Sequence, residues 1–262
     1  MIEDIVLENS SRNIDFLRQF MPKQYILRAA ELIHKLKGEK GKALVGITCG
    51  FYVNGRAETD GPPGAFFLYK ALEMLGFCPY IVTDDYCRGF FEGLSCLFYP
   101  DISLNFDLLI SVERAGRSKD GRYYNMKKKD ITDHTPPIDE LFINAKAPTI
   151  GIGDGGNEIG MGNFYDEILN NLDIIPSVVK CDHLIISSVS NWGAYGLVAY
   201  LEILFNKSLL PSYGEASAYI KKIVGLGAVD GILGKSSYSV DGFCLQKDEK
   251  IIKKLKNMSN FI

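Results

Sequence analysis

Ala147-Pro148-Thr149-Ile150-Gly151-Ile152-Gly153-Asp154-Gly155-Gly156-Asn157-Glu158-Ile159-Gly160-Met161-Gly162 is the stretch that decides the fold. Its apolar opening, Pro148 to Ile152, suits a buried strand. The glycines that follow allow positive φ or close approach of backbone to a ligand. Glu158 to Asn171 then continues as a helix, which makes the whole a strand–turn–helix unit. The letters Gly151-x-Gly153-x-x-Gly156 match a dinucleotide fingerprint, but the chemistry does not follow them. A pyrophosphate wants bare backbone N–H groups at a helix N-terminus, and Asp154 and Glu158 bring two carboxylates into that turn. The next strand-like run, His183 to Val189, ends in serines and offers no acid for a ribose. NAD is therefore not expected, whereas a cation or an amine is. The plainer alternative makes Asp154 the N-cap of the helix that follows.

Outward from this unit the pattern repeats. Apolar runs at Ala43–Thr48, Pro79–Thr83, Asp107–Val112 and His183–Val189 alternate with helical stretches at 65–75, 194–205 and 212–224. Such alternation predicts an α/β fold: a doubly wound, mainly parallel sheet of about five or six strands with helices on both faces, a Rossmann-like three-layer sandwich. Residues 1–40 read as a helical N-terminal cap on a core spanning 41–262, together one domain. Tyr86 to Phe98 reads as helix-like, 113–126 as a short hairpin or lid, and Thr135 as the cap of another helix. His34 reads as a partly buried helix residue, His134 as a loop residue, and Trp192 as packing under its loop. Val229-Asp230-Gly231 and Val240-Asp241-Gly242 are two similar loops.

In open sheets of this kind ligands bind beyond the carboxyl ends of the strands. On that edge the first strand leads to Glu58 and Asp60, the second to Asp84 and Asp85, the third to Glu113, the fourth to Asp154 and Glu158, and the fifth to Ser188 and Asn191. Like charges gathered at one rim are costly unless a cation compensates or a proton is shared. Oxygen ligands suit a hard cation such as Mg²⁺ or Mn²⁺; an ammonium substrate fits as well. Helix capping accounts for Asp60 and Asp154, but not for Glu113.

The 262 residues, 47% of them hydrophobic and 23% charged, carry a net charge of −3. No basic face for nucleic acid is expected, and no run of about 18 apolar residues for a membrane span. The six cysteines contain no C-x-x-C pair and read as reduced thiols. Glu3, Asp4, Glu8 and Asp15 make the first 20 residues too acidic for a signal or transit peptide, so a cytoplasmic setting is expected. The apolar N-terminal helices suggest a homo-oligomer.

Glu58-Thr59-Asp60-Gly61-Pro62-Pro63-Gly64-Ala65, Glu113-Arg114-Ala115-Gly116-Arg117, Asp120 to Met126 and Gly151 to Gly162 resemble the D-glutamate cyclase family, in particular its C-terminal catalytic-type domain. Asn191-Trp192-Gly193-Ala194-Tyr195-Gly196 and the loop at Asp241 are similar too, so the likeness runs from about Ala43 to Phe243. The resemblance implies a lyase that dehydrates the small amino acid D-glutamate to 5-oxo-D-proline. That reaction needs a base for the amine, stabilisation of an oxyanion, a proton for the leaving oxygen and an anchor for the α-carboxylate. Position and charge assign Glu58, Asp60 and Glu113 to catalysis, with Asp60 or Glu58 as base, and Glu113, Asp154 and Glu158 to a metal or amine cluster. Arg114, Arg117, Asn125 and Asn191 are assigned to substrate, and the backbone of Gly155 and Gly156 to the oxyanion. A metal-dependent hydrolase and a non-catalytic binding protein are the rival readings.

Overall fold

A computed structural model describes residues 1–259. Its centre is a six-stranded, wholly parallel sheet: β1 (Leu44–Cys49), β2 (Cys78–Thr83), β3 (Cys96–Phe98), β4 (Leu108–Val112), β5 (Thr149–Gly153) and β6 (His183–Ile186). They lie side by side in the order β3-β2-β1-β4-β5-β6. Val45 of β1 faces Pro79 on one side and Leu108 on the other, and Ile110 of β4 faces Ile150. The chain works outward from β1 in both directions, so the reversal of strand order falls between β1 and β4, where a crevice opens beyond the strand ends.

Strand β3 corrects the sequence reading of Tyr86–Phe98 as helix-like. Only Asp85–Cys87 makes a short 3₁₀ turn, and Cys96–Phe98 pairs with Ile81–Thr83 as the edge strand. A three-residue edge strand is too short to show a period of two, which is why the alternation escapes notice. A second correction concerns Glu158–Asn171. Residues 154–160 are an irregular loop, and helix begins only at Tyr165–Asn171, after a 3₁₀ turn at Met161–Phe164. Asp154 therefore caps nothing. The expected Thr135 cap is also absent: the Thr135 hydroxyl donates to the Ile131 carbonyl, and the helix there is only Glu140–Ile143.

One helix dominates the packing. Every residue from Ser190 to Glu202 in Ser190–Phe205 is buried, as expected of a helix that is apolar all round. Trp192 and Tyr195 on it are wholly enclosed. It packs against the strands and against helices Ile2–Val6, Tyr25–Lys40, Pro62–Met74 and Leu245–Ser259. The other face of the sheet is covered around Leu109, where Phe142, Ile159, Val179 and Phe106 meet. Ile2, Val6, Ile14, Leu17, Ile26 and Ile33 join the main core, so the apolar stripe of residues 1–40 is used up inside the chain. His34 is exposed, its ring edge-on to Phe205 at 4.8 Å.

Two helix starts secure the crevice by capping each other. Asp60, just before Pro62–Met74, accepts the N–H groups of Ser190 and Asn191, both at 2.8 Å. Asn191 returns the favour: its Oδ1 accepts from Gly61 at 3.0 Å and Gly64 at 2.8 Å, and its Nδ2 donates to the Thr59 carbonyl. Each cap is worth about 1 kcal/mol, and a carboxylate at a helix N-terminus adds a favourable dipole interaction. Asp60 does cap a helix, but a helix 130 residues away rather than its own.

Candidate active site

Six acidic side chains converge beyond the strand ends. Glu58 and Asp60 come from the loop after β1, Glu113 from the end of β4, Asp154 and Glu158 from the loop after β5, and Asp241 from a turn near the C-terminus. All six are buried. Glu113 and Asp241 sit at φ of 48° and 50°, a left-handed conformation that non-glycine residues adopt at a cost; it turns each side chain into the crevice. One carboxylate oxygen from each of Asp60, Asp154 and Asp241 lies within 4.8 Å of the others, and the same holds for Glu113, Asp154 and Glu158. Asp154 belongs to both sets.

The one guanidinium among them is Arg12, which the sequence reading passed over; its side chain keeps 16% of its surface exposed. It reaches in from the connection between the first two helical segments and pairs with Asp154 and, at 2.8 Å, with Asp241. Burial opposes its charge, but Asp154, Asp241, Glu113 and Glu58 outweigh burial and hold the guanidinium ionised. The carboxyls respond the other way. Burial, then Asp241 and Asp60, push Glu58 well above the ordinary carboxylate range. Burial and then Glu158, Asp60 and Glu58 do the same to Glu113. Burial, then Asp241, raises Asp60 to about 8. Burial raises Asp154 against the pull of Arg12, and raises Glu158 against its hydrogen bonds from Gly156 and Gly155.

Local bonding separates the six. Asp60 is occupied by helix capping. Glu158 folds back on its own loop, where its two oxygens accept the N–H groups of Gly155 at 2.8 Å and Gly156 at 2.7 Å. A carboxylate of the chain thus occupies the position where a dinucleotide fingerprint would present a phosphate, and those two N–H groups are not free for an oxyanion. Gly156 adopts φ of 112° to make this turn. Glu113 Oε2 accepts from the Ser190 hydroxyl at 2.5 Å. Asp154 Oδ2 and Asp241 Oδ1 are buried and receive no donor among the described residues. Glu58 makes no side-chain hydrogen bond among them and opens into a cavity of about 120 Å³, lined also by Arg12, Glu113, Asn125, Lys127, Lys129, Asn157, Glu158 and Gly231. That volume suits a small metabolite and falls below the ~300–1,000 Å³ of sites for drug-sized ligands.

The two Val-Asp-Gly loops find their explanation here. Asp230 accepts from Ile232, Leu233, the Ser239 hydroxyl and Gly242, which ties the two loops together and presents Asp241 to Arg12. Gly231 leaves room for Glu58, since a Cβ there would lie 2.0 Å from Glu58 Oε2.

Of the residues assigned to substrate, Asn125 lines the cavity, but the two arginines do not. Arg114 is buried against Asp84, with further bonds to the carbonyls of Gly50 and Pro136. Arg117 forms a two-pronged pair with Asp139 at 2.8 and 2.9 Å. Asn191 is occupied by the reciprocal cap. Asn125 Oδ1 closes a turn onto the N–H groups of Lys127 and Lys129.

Comparison with known families matches residues 2–256 to the description "D-glutamate cyclase-like, C-terminal". The chain belongs to that family. The match takes in the N-terminal helical segments and the connection that carries Arg12, beyond the Ala43–Phe243 stretch where the resemblance is legible by eye. Among curated proteins, the human D-glutamate cyclase, mitochondrial, is 34% identical over 211 residues, which make up 66% of this chain and 33% of the human protein. The chain thus aligns with about a third of that relative's length. No described helix is long and apolar enough to cross a membrane.

Proposed function

We propose that this chain is a lyase that dehydrates D-glutamate to 5-oxo-D-proline in the cavity between Glu58 and Glu113. The observation that carries this reading is the excess of buried carboxyls over the one guanidinium, facing a cavity of metabolite size in a member of this family. A site so charged recruits a cation, and the ammonium of an amino acid is one. In the reaction the α-ammonium nitrogen gives up two protons and bonds to Cδ, the carbon of the γ-carboxylate, and one oxygen of that carboxylate takes both protons and leaves as water. Glu58 is the base. Its raised affinity for protons narrows the gap to an ammonium, while the arriving ammonium favours its ionised form. Glu113, held by the Ser190 hydroxyl and pushed above the ordinary carboxylate range by burial and its acidic neighbours, supplies a proton to the departing oxygen. Arg12 faces the negative charge that develops on the γ-carboxylate.

The donor set also fits Mg²⁺ or Mn²⁺. Its oxygens are hard, two of them (Asp154 Oδ2 and Asp241 Oδ1) lack donors, and the 4.8 Å limit on their separation is near the ~4.2 Å between opposite ligands of Mg²⁺. Asp154 with Asp60 and Asp241, or with Glu113 and Glu158, would hold the ion. There it would polarise the γ-carboxylate. A cytoplasmic setting and a homo-oligomer belong to the same proposal, the latter through surfaces other than the apolar stripe of residues 1–40, which packs within the chain.

The test incubates purified protein with D- and L-glutamate, with and without Mn²⁺, and follows 5-oxoproline by chiral chromatography. Product from the D-enantiomer is expected. Absence of product from either enantiomer under all four conditions would remove the lyase reading.

A further inference from the structure

Floor and mouth of the cavity carry opposite charge. The floor is acidic, with Glu58, Glu113 and Glu158, whereas the mouth holds Lys127 and Lys129. Neither lysine has a carboxylate within 4 Å among the described residues, unlike Lys128 between them, which pairs with Asp173 and does not line the cavity. These lysines do not sit on a loose loop. Tyr123 and Ile131 bond across a small hairpin at 2.9 Å, and Asn125 closes its tip through its own N–H, its carbonyl and its side chain. Asn157 of the floor loop ties the hairpin down by donating to the Tyr124 carbonyl at 2.8 Å. Mouth and floor are thus built as one unit.

We propose that Lys127 and Lys129, with the Asn125 amide, form the subsite for the substrate's α-carboxylate and so set its orientation. This rests on the lyase reading above. In the ring that closes, nitrogen, Cα, Cβ, Cγ and the carboxyl carbon Cδ are all members, and the α-carboxylate is the one charged group outside it. With amine and γ-carboxylate at the floor, the α-carboxylate must point outward, away from three acids and toward two lysines. Arg114 and Arg117, the better-shaped forks, are spent on Asp84 and Asp139.

The decisive experiment compares wild type with the double variant Lys127→Met/Lys129→Met and with Lys128→Met. Substrates are D-glutamate and its α-amide, which lacks only the outward charge; turnover is read beside calorimetric binding. The double variant should raise KM for D-glutamate about tenfold while kcat moves less than about threefold, as for loss of a charge-assisted contact that does not change in the transition state. Wild type should discriminate against the α-amide, the double variant should not, and Lys128→Met should match wild type. An unchanged KM, or an equal rise for the α-amide, overturns the subsite and leaves the lyase reading standing. Binding of D-glutamate without turnover removes the lyase reading, and the subsite is then judged by the same comparison of Kd. Binding of neither D-glutamate nor glutarate to wild type overturns the subsite as well.

Discussion

Arg12, partly buried, and Arg114, wholly buried, both lie beside carboxylates at the same end of the sheet, yet their surroundings differ in kind. Arg114 meets one acid, Asp84, and gives its remaining hydrogen bonds to two backbone carbonyls. Its charge is balanced one to one, and the pair holds the segment after β4 against that after β2. Arg12 meets Asp154 and Asp241 directly, with Glu58, Asp60, Glu113 and Glu158 in the same crevice. A balanced buried pair is architecture. A buried cluster with an unbalanced charge stores a demand for a proton or a cation, and perturbed groups of that kind mark functional sites.

The largest expected effect breaks the acidic side. Glu113→Gln keeps the size of the side chain and an acceptor for Ser190 but cannot donate a carboxyl proton, and kcat should fall by about 10²–10⁴-fold with an unchanged circular dichroism spectrum. Normal turnover by this variant would put the proton donor elsewhere. Arg114→Met tests the balanced side. It strands the Asp84 carboxylate in the interior and should cost about 3–5 kcal/mol in urea unfolding, most of it recovered by adding Asp84→Leu. Failure of the second change to restore stability would mean that the carbonyl bonds to Gly50 and Pro136, rather than the ion pair, hold this segment.

Arg12→Met sharpens the contrast, because its neighbours have a way out. Glu58, Glu113 and Asp154 already lie above the ordinary carboxylate range, and they take up protons instead of remaining as stranded charges. Between the unfolded values near 4 and the raised folded values, the folded chain binds more protons than the unfolded one. Its stability therefore falls as pH rises. The variant should lose only about 1–2 kcal/mol at pH 8 and close to nothing at pH 5, measured as unfolding free energy at the two pH values. A loss as large as that of Arg114→Met, and equal at both, would show the two arginines to be equivalent.

The sheet was legible in the sequence because β1, β2, β4, β5 and β6 are continuous apolar runs, as strands covered on both faces must be. The acids at the strand ends were legible for the same reason: a strand's end fixes where the next residue points. What stayed hidden depends on distant partners. Arg12 meets Asp154 across 142 positions, and no local pattern around Ser11-Arg12-Asn13 announces it. Asn191 looked like a ligand group and serves as a cap, since its partners Gly61 and Gly64 lie some 130 positions earlier. Gly155 and Gly156 have the right local conformation for an anion, and only the fold of the loop shows that Glu158 takes the place. Asp241 was visible as one of two Val-Asp-Gly loops; what could not be read was that Asp230 would tie the pair together.

Asp248 offers the smallest and cleanest departure from balance, because it lies outside the cavity. It is buried in the C-terminal helix, its Oδ1 accepts the Trp192 indole N–H, and its Oδ2 has no donor among the described residues. Burial raises it to about 6 against that hydrogen bond, with a further push from Asp241. The folded state then binds this proton more tightly than the unfolded chain between about pH 4 and 6, so ionisation destabilises the fold as pH climbs through that window and the full penalty applies above it. A rise from the ordinary carboxylate value to about 6 corresponds to about 3 kcal/mol, an upper bound on what Asp248→Asn can regain at pH 8, since its new amide needs an acceptor. At pH 3 the gain should vanish, because the native carboxyl is already neutral. Unlike Arg12→Met, this substitution should raise the melting temperature at pH 8. If it lowers it there, the Trp192–Asp248 bond is strong enough to outweigh burial, and an ionised carboxylate in this core is held as firmly as Asp84 is by Arg114.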